Sequence, residues 1–267
     1  MKKLVLITLI GIMTFALNAQ ESIIKFNIDS KKALQKISSV VSIDNVEGNT
    51  VVAYANDAEL EEFKSLNYDF EFMPHPSTGK SLTMANTVAE MASWDRYPTH
   101  EVYLQMMQNF ATNHPDICRL DTLGQSEEGR DILVLKITDN PDMEEAEPEY
   151  YYTGQMHGDE IVAYILLLRF IDYTLENYGT LDRITNLVNN YEIWINPLSN
   201  PDGAYAGGNN TISGATRYNS NSVDLNRNFP TPELHNPASQ NEAEIQMQIA
   251  FAEANHFVGS SNLHSGI

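Results

Sequence analysis

Between residues 22 and 73 the spacing of apolar side chains runs through six segments of alternating or helical period. SIIKFNID alternates with period two, SKKALQKISSV has helical spacing, and VSIDNVEGNTVVAYA holds two alternating runs about a Glu47-Gly48-Asn49 turn. DAELEEFKSLN is helical again and YDFEFM alternates. The order β-α-β-β-α-β predicts a small α+β domain of ferredoxin-like pattern over residues 22–73. Residues 74–95, rich in Pro, Ser, Thr and small side chains, read as a linker.

From Tyr97 the texture changes. THEVYLQMMQNFATNHP carries a helix pattern closed by Pro115. Strand patterns then alternate with helical ones: ICRLDTLGQS, ILVLKITD, EYYYTGQM, a long helix from about Asp159 to Asn177, a short one near LDRITNLVNN, and YEIWINPLS. A helix near SQNEAEIQMQIAFAEAN precedes the strand-like VGSSNLHS. This alternation predicts an α/β domain over residues 96–267, its sheet mainly parallel or mixed and covered on both faces by helices.

The first twenty residues change the picture. Lys2 and Lys3 precede an uncharged apolar run from Leu4 to Leu17, with small Ala19 as a cleavage point. That run is shorter than the roughly 20 residues that span a bilayer, so residues 1–19 read as a secretory signal peptide, and the processed chain is expected outside the cytoplasm with no stable membrane anchor. Sixteen Lys and Arg against thirty-six Asp and Glu give a formal charge of -20, which repels nucleic-acid backbones and anionic lipid. The single Cys118 has no internal disulfide partner and reads as a small buried thiol.

Candidate chemistry sits where strands end. In open α/β sheets, loops beyond the carboxyl ends of the strands converge on ligands. EYYYTGQM runs into His157, with Glu160 three residues later on the expected first turn of the next helix. YEIWIN runs into Asn200-Pro201-Asp202-Gly203, a turn-forming loop, and SSNL runs into His264. Two His and one Glu would meet the needs of a catalytic zinc, which takes three protein ligands and keeps a fourth position open. The His157–Glu160 spacing alone is weak. Seven His and twenty-one Glu in 267 residues produce such a pair by chance about half a time, and Glu160 could simply complement a helix N-terminus. The stretch TRYNSNSVDLNRNFP adds weight, because it gathers Arg217, Asn226 and Arg227 in a chain poor in basic residues. Arg clamps carboxylates through paired hydrogen bonds, whereas exposed ion pairs, the alternative use of these Arg, contribute little.

These segments resemble the zinc carboxypeptidases (M14 metallocarboxypeptidases), and the carboxypeptidase N, E and D branch more than the pancreatic one. EGRDILVLKIT, TGQMHGDEIVAYILLLRFIDY, INPLSNPDGAY, TRYNSNSVDLNRNFP and NLHSG occur in the family's order over about residues 96–267. The resemblance implies a mixed, twisted eight-stranded sheet between helices, with one Zn²⁺ held by His157, Glu160 and His264. It also implies that Asn226 and Arg227 bind the substrate's terminal carboxylate and that Arg217 polarises the scissile carbonyl. The implied activity is hydrolysis of C-terminal residues from peptides. An amidase or deacylase of the same fold and a non-catalytic zinc- or peptide-binding protein stand as alternatives.

In relatives the general-base Glu and a substrate-capping Tyr lie far beyond the third zinc ligand. The sequence ends at Ile267, three residues after His264, so a C-terminally truncated chain is expected, with Asp159 or Asp202 only speculative substitutes for the base. Residues 22–73 are expected to be either an activation segment shielding the site or an accessory domain.

Overall fold

The computed structural model describes residues 21–75, 82–230 and 241–265. The leader expected over residues 1–19 lies outside the described residues, as do residues 76–81 of the expected linker.

Six elements make up the front unit: β1 (Ser22–Asn27), α1 (Lys31–Ile37), β2 (Ser42–Glu47), β3 (Thr50–Ala55), α2 (Asp57–Ser65) and β4 (Phe70–Met73). The strands pair antiparallel in the order β2-β3-β1-β4. Local chemistry sets the boundaries. The Ser30 hydroxyl accepts the Ala33 N–H (3.3 Å) to start α1, and Asn56 with Glu59 forms a reciprocal capping box at the start of α2. Gly48, at φ 62°, makes the β2–β3 turn in a backbone region that costs other residues energy. One sheet face, through Ile24, Phe26, Val51 and Ala53, packs on Ile37, Leu60 and Phe63 of the two helices. The pleat sends Ile23 and Tyr54 to the other face, where they pack on Tyr218 of the larger unit.

The larger unit begins inside the stretch that reads as a linker. β5 (Met84–Ala85) pairs in parallel with β6 (Tyr97–Pro98), with a 3-10 turn (Val88–Ser93) between them. Ala85 and Met91 are buried in the main core. There follow α3 (His100–Asn113), β7 (Cys118–Gln125), β8 (Asp131–Ile137), β9 (Glu149–Gly154), α4 (Ile161–Asn177), α5 (Asp182–Val188), β10 (Glu192–Asn196), α6 (Pro201–Ala204), α7 (Ala243–Ala254) and β11 (Phe257–Leu263).

Among the described residues five strands form a mixed sheet in the order β11-β9-β10-β8-β7. β9 runs parallel to both neighbours, whereas β8 is antiparallel to β10 and β7. Leu133, Leu135, Ile193 and Ile195 pack with Val102, Met106, Leu167 and Leu168 of α3 and α4. Val134, Tyr151 and Trp194 point to the opposite face and meet Phe251 of α7. A sheet buried on both faces explains why β10 has no exposed residue and why its sequence EIWIN lacks a polar alternation. Complete burial of one such Leu or Ile stabilises the fold by about 1.5–3 kcal/mol.

Candidate metal centre

Three strands of the larger sheet end at one edge and in register. Thr153 pairs with Asn196 of β10 and Asn262 of β11, and Gly154 pairs with Leu263. The chain leaving β9 therefore carries His157 to the same edge at which β11 delivers His264. The second loop from that edge braces the first. Asn200 donates its side-chain amide to the Met156 carbonyl (3.2 Å), and its backbone N–H donates to the Gln155 carbonyl (3.1 Å). Its side-chain oxygen meanwhile caps α6 by accepting the Gly203 N–H (2.8 Å). Asn200-Pro201-Asp202-Gly203 is thus a clamp on the His157 loop as well as a turn.

Contact here is close enough to dictate residue type. A Cβ on Gly158 would lie 2.2 Å from the Gly203 carbonyl carbon and 2.5 Å from the Thr216 oxygen. The tight turn also moves Glu160: the long helix starts at Ile161, so Glu160 precedes it instead of sitting in its first turn. A bond from the Glu160 N–H to the His157 carbonyl (3.2 Å) folds the carboxylate back toward the imidazole.

His157, Glu160 and His264 come together. His157 Nδ1 lies 2.8 Å from Glu160 Oε1, His264 Nδ1 lies 2.9 Å from Glu160 Oε2, and the two Nδ1 atoms are 3.1 Å apart. Donors about 2.0–2.1 Å from a tetrahedral ion stand about 3.3 Å from one another, close to these separations. The donor set therefore fits zinc. His157 Nε2 lies 3.2 Å from Asp224 Oδ1, and an N–H donated there leaves Nδ1 as the lone pair. Burial favours the neutral carboxyl of Glu160, but the two imidazoles and the Ser265 N–H prevail and hold it at about 2. Burial likewise opposes ionisation of Asp224, and His157 and Arg217 outweigh it, keeping the group well below the usual carboxylate range.

Asp224 was not singled out from the sequence, yet it joins the parts of the site. Its carboxylate accepts from Arg217 Nε (3.2 Å), from the Ser42 hydroxyl and from the Asn226 N–H (2.9 Å), and so starts the 3-10 turn Leu225–Arg227. The available signal was an isolated acid between Arg217 and Asn226-Arg227. Arg217 is 4% exposed and also lies 3.6 Å from Glu160 Oε1. Asn226 is half-buried, while Arg227 is exposed with Nη1 3.3 Å from the Asn226 carbonyl. Asp202 is occupied elsewhere: it accepts the Ser126 hydroxyl (2.7 Å) and the Glu128 N–H (2.9 Å), and it pairs with Arg130 (2.6 Å).

The family profile described as "Zinc carboxypeptidase" matches residues 103–267, more than half of the chain. The chain belongs to the zinc carboxypeptidase family. It is 40% identical over 174 residues to carboxypeptidase D of Homo sapiens, a match covering 64% of this chain and 12% of that protein. With the carboxypeptidase N catalytic chain of Rattus norvegicus it shares 39% identity over 176 residues, 57% of this chain and 38% of that one. The chain thus spans only a minor part of the length of these curated relatives. Among solved structures, carboxypeptidase A from Helicoverpa armigera superposes with a TM-score of 0.65 at 20% identity, over 94% of this chain and 71% of that one. Thrombin activatable fibrinolysis inhibitor superposes at 0.61 and 17% identity, over 92% and 72%. At such identities the likeness establishes a shared zinc carboxypeptidase fold.

Proposed function

We propose that this chain carries the metal- and carboxylate-binding part of a secreted, zinc-dependent carboxypeptidase that removes C-terminal residues from peptides and proteins. The observation that carries this reading is the convergence of two imidazole Nδ1 atoms and one carboxylate at 2.8–3.1 Å, with the Asp224 carboxylate 3.2 Å from His157 Nε2. Zinc held there supplies Lewis-acid polarisation of the scissile carbonyl and activation of water. Around it, Arg217 places a fixed positive charge where an oxyanion develops, and Asn226 with exposed Arg227 receives the free carboxylate of the substrate. The proton taken from water goes to a base that the family resemblance puts C-terminal to Ile267. The leader of residues 1–19 supports secretion.

The front unit reads as a shield over this site. Arg217 is enclosed by it: Nε donates to the Ser42 hydroxyl (2.9 Å), the guanidinium stacks 5.2 Å from the Tyr54 ring centre, and the backbone N–H donates to Glu21 (2.8 Å). Tyr218 and Asn56 tie the same surfaces through Glu59 (2.7 Å) and the Ser222 carbonyl (2.9 Å).

The test uses a version extended beyond Ile267, assayed before and after cleavage between the two units. Expected are one catalytic zinc per chain, hydrolysis of a peptide with a free C-terminus but not of its amidated form, and a gain of activity on cleavage. Arg227→Ala should cost about 10- to 100-fold in kcat/KM, the effect of losing a charge-assisted bond of about 1.5–3 kcal/mol. Equal hydrolysis of the amidated peptide would move the assignment to an amidase. No gain on cleavage would make the front unit an accessory domain.

A further inference from the structure

A second group of metal-ligating side chains lies on the junction of the two units, apart from the three donors already described. Glu21 precedes β1, His75 follows β4, and Asp159 lies in the turn between His157 and Glu160. One donor atom from each falls within 4.8 Å of the others. His75 Nε2 is 3.1 Å from Glu21 Oε1 and 3.6 Å from Asp159 Oδ2. These separations bracket the roughly 3.3 Å between donors on a tetrahedral ion. Asp159 is 3% exposed, and both of its carboxylate oxygens are buried without a hydrogen bond of good geometry, with the Tyr54 hydroxyl and the His75 imidazole as neighbouring donors. Glu21 Oε1 is also buried, with His75 Nε2 as its neighbouring donor at 3.1 Å, while Oε2 of the same residue accepts the Arg217 N–H. Anionic oxygens removed from water in this way require a cation or a donor.

We infer that Glu21, His75 and Asp159 form a second zinc site that fastens the front unit to the loop carrying the first. One imidazole with two carboxylates suits a borderline metal such as Zn²⁺ better than Ca²⁺ or Mg²⁺, which favour all-oxygen shells. The three ligands come from both units, so the ion binds the docked arrangement more tightly than the separated one and stabilises docking by mass action. Without metal, burial works to lower the His75 pKa, but Asp159 and Glu21 prevail and raise it to about 9. A protonated imidazole between the two acids is therefore the rival occupant, and zinc must displace that proton.

The test is calorimetric titration of chelator-treated chain with Zn²⁺ at pH 7.5, with stoichiometry as the readout. Wild type should take up two equivalents. His75→Ala and, independently, Glu21→Gln should each take up one, with unchanged far-UV circular dichroism, and His264→Ala should keep one equivalent at the junction. A wild type that binds a single equivalent overturns the inference and leaves His75 as an imidazolium. Retention of two equivalents by folded His75→Ala or Glu21→Gln overturns it as well, since the second ion would then lie elsewhere. If His75→Ala does not fold, Glu21→Gln gives the decisive stoichiometry. Loss of one equivalent in His264→Ala reports on the first site separately, so the two assignments fail independently.

Discussion

Replacing Asp224 separates the role of the supporting carboxylate from that of the three proposed metal donors. The side chain is 3% exposed, accepts from His157 and Arg217 at 3.2 Å each, and also holds the Ser42 hydroxyl and the Asn226 N–H. In Asp224→Asn the amide oxygen can still accept from His157 Nε2, so orientation survives and the negative charge is lost. In Asp224→Ala both are lost. Removal of a carboxylate behind a ligating His lowers metal affinity by about 10- to 100-fold, or about 1.4–2.8 kcal/mol. The Asn variant is expected near the lower end of that range and the Ala variant near the upper. A second cost is larger: breaking a buried ion pair costs about 3–5 kcal/mol. Arg217 keeps Ser42 and Glu160 as neighbours, so the lower end applies. Against a total stability of about 5–15 kcal/mol the variants remain folded but melt earlier. Zinc affinity is read by competition with a chromogenic chelator on metal-free protein, and stability by thermal melting. Zinc affinities within twofold of wild type for both variants would refute the reasoning, because Asp224 would then have no hold on His157.

Three further outcomes are expected. His75, raised from 6.5 to about 9 in the folded chain, contributes stability that is fully present below pH 6.5 and is lost as pH rises through 9; metal-free protein should show this slope in denaturant melts, and His75→Gln should abolish it. Gly158→Ala forces a Cβ to 2.2 Å from backbone that cannot move aside, so a loss of about 3 kcal/mol or more and weakened zinc binding are expected in melting and chelator competition. The buried thiol of Cys118 is pushed up to about 12 by burial, so a disulfide reagent at pH 8 should label one equivalent in guanidinium and none in the native chain.

Much of the fold was legible because periodicity reports burial directly. The β-α-β-β-α-β order over residues 22–73, the long helix ending at Asn177 and the strands leading to His157 and His264 all follow from alternating or helical spacing. Residues 82–95 were not legible, since their small and polar composition reads as linker; Ala85 and Met91 are nonetheless buried, and only a surrounding core can reveal that. The start of α4 was misplaced by two residues because a turn held by the Gly158 and Asn200 contacts overrides helix spacing.

For the site, sequence by itself supplied the donor types, their order and their places at strand ends, because a side chain's chemistry and the strand it follows are local properties. Tertiary structure alone decided that His157 and His264, 107 residues apart, bring their Nδ1 atoms to 3.1 Å. It alone brought Ser42 to Arg217 and Asp224, and Glu21 and His75 to Asp159. Parallel register and the packing of one sheet face on another unit are long-range relations, and spacing along the chain carries no record of them.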